Sequence, residues 1–77
     1  MVDPKQGRLR VWWVRNPPNP PSYTLVLNPK QARQLLDSLA LTDLKDTQVW
    51  GNAGGLEVYQ DGEWVEWQDD KGNIYRE

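Results

Sequence analysis

At 77 residues, with 38% hydrophobic and 26% charged positions, the chain is sized for a single domain, residues 1–77, with a modest core. It has no cysteine and no histidine, which excludes a disulfide framework, a Cys-based zinc site and any hydrolase of the Ser-His-Asp or Cys-His type. A net charge of -2 is not the basic footprint of a dedicated nucleic-acid binder, and no apolar run approaches the roughly 20 residues of a membrane helix.

The charge is unevenly placed. Residues 1–42 hold six of the nine basic groups and two of the eleven acidic ones, so the second half is strongly acidic. An acidic surface keeps a small domain soluble, and it can also steer a basic partner. The polar start Met1-Val2-Asp3-Pro4-Lys5 lacks the apolar stretch of a secretory signal, and the expected location is cytoplasmic.

In chain order, residues 1–7 are polar, contain Pro4 and Gly7, and are expected to be disordered. Residues 8–15 then alternate as a strand, with Leu9, Val11 and Trp13 on one face and Arg8, Arg10, Trp12 and Val14 on the other. Adjacent tryptophans in a strand point oppositely, so if Trp13 enters the core, Trp12 needs other cover or a partner. Asn16-Pro17-Pro18-Asn19-Pro20-Pro21 can be neither helix nor central strand, and reads as an extended loop able to fold over Trp12. Residues 22–27 form the returning strand, with Tyr23, Leu25 and Leu27 expected inward.

Asn28-Pro29-Lys30-Gln31 is a helix start, with asparagine at the N-cap, proline at N1 and glutamine at N3. Ala32, Leu35, Leu36, Leu39 and Ala40 follow as one apolar stripe, while Lys30, Arg33, Gln34 and Asp37 face water. After Leu41 the pattern decays into a loop or a last helical turn, and Val49-Trp50 reads as a short strand or an anchor. Gly51-Asn52-Ala53-Gly54-Gly55 allows sharp or left-handed backbone, but the lysine and hydroxyl residue of a phosphate-binding loop are absent.

Residues 54–68 read as a hairpin turning at Asp61-Gly62. That turn pairs Gln60 with Glu63, Tyr59 with Trp64, Val58 with Val65, Glu57 with Glu66 and Leu56 with Trp67. Leu56, Val58, Val65 and Trp67 then form a core face, and Glu57, Tyr59, Trp64 and Glu66 the opposite one. Glu57 against Glu66 is an unfavourable like-charge pair, so a cation is needed nearby. A turn at Asp70-Lys71-Gly72 would return residues 74–76 as a further strand and set Arg76 beside Glu66. The fold class expected is α+β, an antiparallel sheet of about five strands (ββαβββ) with one helix on one face.

Five tryptophans are more than one helix over one sheet needs. Trp13, Trp67 and Trp50 are assigned to the core, which leaves Trp12, Tyr59 and Trp64 beside Arg10, Glu57 and Glu66. Binding energy concentrates on tryptophan, tyrosine and arginine, so these six residues are the candidate binding set. Glu57 and Glu66 could also do acid–base work on a sugar, but a flat ribbon offers no deep cleft, and a non-enzymatic role is expected. No catalytic set, metal site or cofactor is assigned, since the acidic spacing around Asp61, Glu63, Asp69 and Asp70 fits no calcium loop.

The blocks Val11-Trp12-Trp13-Val14-Arg15-Asn16-Pro17-Pro18 and Gly54-Gly55-Leu56-Glu57-Val58-Tyr59 with Trp64-Val65-Glu66-Trp67 resemble a group of small uncharacterised bacterial and prophage-type proteins. The resemblance, which covers most of the chain, implies a non-enzymatic accessory role. The leading expectation is a protein-binding module that contacts a protein partner through the Trp/Tyr and acidic face. An acidic mimic of nucleic acid and a carbohydrate-binding protein are the alternatives, and edge strands leave a homodimer open.

Overall fold

The computed structural model describes residues 5–69. The elements are β1 (Leu9–Arg15), β2 (Ser22–Val26), α1 (Pro29–Leu44), β3 (Asn52–Gln60) and β4 (Glu63–Glu66). The strands form one antiparallel sheet in the order β2-β1-β3-β4, with α1 packed on one face, so the α+β reading holds. The described residues give four strands rather than five; the further strand expected at 74–76, with Arg76, lies outside them.

The hairpin has the register set by its turn. Glu57 meets Glu66, Val58 meets Val65, Tyr59 meets Trp64 and Gln60 meets Glu63. Asp61 and Gly62 have φ of 52° and 86°, the two positive values that match the twist of a tight hairpin. The Trp67 amide continues the pairing by donating to the Leu56 carbonyl at 3.0 Å. At the turn end of β3, Tyr59 exchanges backbone bonds with Gly7 and Arg8 at 2.8 Å, and Gln6 Oε1 accepts from the Asp61 amide at 3.0 Å.

α1 starts as its sequence demands. Asn28 is extended and its Oδ1 accepts from the Gln31 amide at 2.7 Å, while Gln31 Oε1 accepts from the Leu27 amide at 2.6 Å. Ala32 and Leu36 are fully buried against Leu9, Val11, Trp13, Val26, Leu56 and Val58, with Leu35, Leu39, Ala40, Val65 and Trp67 packed around them. Each fully buried leucine, Leu36 and Leu56, contributes about 1.5–3 kcal/mol before the entropy of ordering it is charged.

Two expectations are corrected. In β2 it is Val26 that is buried, whereas Tyr23 and Leu25, and Leu27 just past the strand, are 51%, 56% and 74% exposed. The cause is register, since Val26 lies opposite Leu9 and Thr24 opposite Val11, which turns Tyr23 and Leu25 to the face away from the helix. Trp50 is 73% exposed and belongs to no strand. Its segment is anchored by backbone instead: Asn16, at φ 51°, accepts from the Trp50 amide at 2.7 Å and donates its own amide to the Gly51 carbonyl at 2.7 Å. Gly54 and Gly55 lie within β3, as the hairpin reading of residues 54–68 has them, opposite Trp13 and Trp12. A Cβ on Gly54 would sit 2.2 Å from the Trp13 ring, so glycine here makes room for a core indole.

The prolines at 17, 18, 20 and 21 are exposed. Asn19 and Pro20 border a cleft with Trp13, Ser22 and Leu39, which places that end of the loop on the helix side, away from the face of Trp12.

Candidate functional site

The face of the sheet away from α1 brings all six expected residues together. Strand alternation puts Arg10 and Trp12 of β1, Glu57 and Tyr59 of β3, and Trp64 and Glu66 of β4 on one side. The register of β2 adds Tyr23 and Leu25 to the same side, opposite Trp12 and Arg10.

Arg10 is the centre of this face. Its guanidinium carbon lies 3.8 Å from the centroid of the Tyr23 ring and 4.2 Å from that of Trp64, rings contributed by strands on opposite sides of β1. Its Nε donates to Glu57 Oε1 at 2.7 Å, and the two side chains are 20% and 24% exposed. A cation held between two ring faces in partial shelter from water is worth more than an exposed one, and the carboxylate fixes its orientation. Trp64 is held in turn by Tyr59, edge-on at 5.3 Å between centroids and 67° between planes. A cation beside Glu57 thus comes from β1, forty-seven residues away in sequence.

Trp12 lies half-buried beside this group, paired with Tyr23 and Gly55. Glu66 is exposed opposite Glu57. Tyr23 and Leu25 are the members that the sequence reading assigned to the core. Nothing in Tyr-Thr-Leu-Val-Leu alone reveals their side, because apolar residues occupy both parities of the strand.

A second polar group lies on the helix side. Asp43, in the last turn of α1, is 3% exposed. Its Oδ2 accepts from Trp13 Nε1 at 2.9 Å and from Asn52 Nδ2 at 3.2 Å, and its Oδ1 accepts from Arg15 Nε at 2.7 Å. The carboxylate has a donor on each oxygen and ties α1 to both central strands. With three bonds from the protein's own donors and almost no exposure, it is built as a structural fastening. Its signal in the sequence was position: Asp43 follows Leu36 by seven residues on the buried stripe.

Among the described residues no group of three or more histidine, cysteine, aspartate or glutamate side chains is placed to hold a metal ion. No described helix is long and apolar enough to cross a membrane. No protein-family model, curated protein or solved structure matches the chain.

Proposed function

We propose that this chain is a non-enzymatic protein-binding accessory module, with the face made by Arg10, Trp12, Tyr23, Glu57, Tyr59, Trp64 and Glu66 as its contact surface. The observation that carries this reading is the Arg10 guanidinium, fixed by Glu57 over the rings of Tyr23 and Trp64 on the face that α1 does not cover. Such an arrangement holds large side chains in place before a partner arrives, so less rotamer entropy is lost on association. Tyrosine, tryptophan and arginine are also the residues on which interface energy concentrates. The resemblance of the two tryptophan-containing blocks to prophage-type proteins fits an accessory role of this kind.

A carbohydrate platform is less well served. Sugars stack on open ring faces, and here Arg10 already lies over Tyr23 and Trp64. An acidic mimic of nucleic acid would bind through charge and lose its partner steeply as salt rises, whereas an aromatic contact is salt-tolerant.

The test is affinity capture from host lysate at low and high salt, run beside a variant carrying Trp12→Ala and Trp64→Ala. The expected result is a protein retained at high salt and lost with the variant, whose helical circular dichroism is unchanged. A partner released by salt alone, or a variant that no longer folds, would overturn the reading.

A further inference from the structure

Among the described residues the sheet ends in β4 on one side and β2 on the other, and β4 carries Glu63 and Glu66, charges that discourage another strand from pairing with it. β2 pairs only with β1 among the described residues, and Ser22, Tyr23, Thr24 and Leu25 are all exposed. From Ser22 to Leu27 there is no charge and no proline, so a row of backbone N–H and C=O groups is open to a further strand. Pro21 on one side and Pro29 on the other confine any added pairing to the residues between them.

We infer that β2 is the seam of a homodimer, in which a second copy of the chain pairs its own β2 antiparallel to this one. A two-fold axis that sets two such edges side by side must run perpendicular to the sheet. It carries each face of the sheet into the same face of the partner, so a residue meets one of equal parity. The axis then passes through Thr24, the middle of Ser22–Val26, and Thr24 faces the partner's Thr24. Tyr23 comes to lie against the partner's Leu25, and Leu25 against the partner's Tyr23. An aromatic side chain across from an aliphatic one is a favourable sheet pair, and it covers two residues that are 51% and 56% exposed in the single copy.

This pairing joins the four described strands of each copy into one sheet with both helices on one side. Both Arg10-centred faces then lie together on the other, with Tyr23 shared between the seam and the cation it holds. The inference does not depend on what that face binds.

The chain itself, followed by sedimentation equilibrium across a concentration range, is expected to show a monomer–dimer equilibrium. Thr24→Lys sets two ammonium groups opposite each other on the axis and removes only an exposed side chain from the monomer, so dimerisation is expected to weaken by about tenfold or more. Because the chain contains no cysteine, Thr24→Cys supplies a second measurement that does not rest on how Thr24→Lys folds. Directly opposed residues in an antiparallel pair are close enough for a disulfide, so mild oxidation should give a linked dimer about tenfold faster than for Leu44→Cys, at an 82% exposed site off the seam. A chain that is monomeric throughout, a Thr24→Lys dimer of unchanged affinity, or equal cross-linking of the two cysteine variants would each overturn the seam.

Discussion

Two arginine–carboxylate pairs, Arg15 with Asp43 and Arg10 with Glu57, have the same 2.7 Å contact through Nε and serve opposite ends. In the first, the carboxylate is the buried member at 1% side-chain exposure, and the arginine is half in water at 50%. In the second, both groups are about a fifth to a quarter exposed, and the cation is dressed by rings. The first pair turns inward and uses its capacity on the fold's own donors. The second sits on an uncovered face and presents what it organises. Distance alone does not separate a fastening from a contact surface; the number of internal partners and the side that faces water do.

The largest effect is expected at Asp43. Asp43→Ala leaves the buried Trp13 N–H without its acceptor and removes the contacts to Arg15 and Asn52, and a loss of about 2–4 kcal/mol is expected in urea unfolding. For a small domain that is a large share of the total. Asp43→Asn keeps an acceptor oxygen and should recover part of it.

Next comes Gly54→Ala. The added Cβ would lie 2.2 and 2.6 Å from two carbons of the Trp13 ring, so the indole that donates to Asp43 must move. Overpacking of this kind costs about 1–3 kcal/mol, and the tryptophan near-ultraviolet signal should change with it. The smallest effect is expected on the other face. Arg10→Met removes the cation over Tyr23 and Trp64 and leaves Glu57 opposite Glu66 without that charge, at a cost of about 1 kcal/mol in stability. The contrast sharpens if Arg10→Met leaves the urea midpoint nearly in place yet weakens partner capture, while Asp43→Ala lowers the midpoint strongly. Equal losses of stability would erase it.

Much of this was legible in the residues. The Asp61-Gly62 turn fixes the hairpin register, and that register fixes which side Glu57, Tyr59, Trp64 and Glu66 occupy. Asn28, Pro29 and Gln31 fix the start of the helix. β2 was not legible, because its side is set by how the proline loop aligns Val26 with Leu9, a long-range choice that local alternation does not encode. Asp43 was missed for the opposite reason. A charged residue at a stripe position reads as the end of the stripe unless its donors, thirty residues upstream in Trp13 and twenty-eight in Arg15, are known. Trp50 shows that a large apolar side chain is not bound to enter the core when its backbone is held by Asn16.

The strand order β2-β1-β3-β4 also governs when this chain can fold. The first strand made lies between two neighbours, one formed soon after it and the other about forty residues later. Until β3 has been synthesised, Val11 and Trp13 lack the wall that Leu56 and Gly54 supply, and the helix stripe has only a hairpin to lie on. Closing that interval costs loop entropy before any central contact rewards it. A nascent chain halted at Gly51 would therefore hold a helix and two strands with no stable core, and folding waits until nearly the whole sheet has been made.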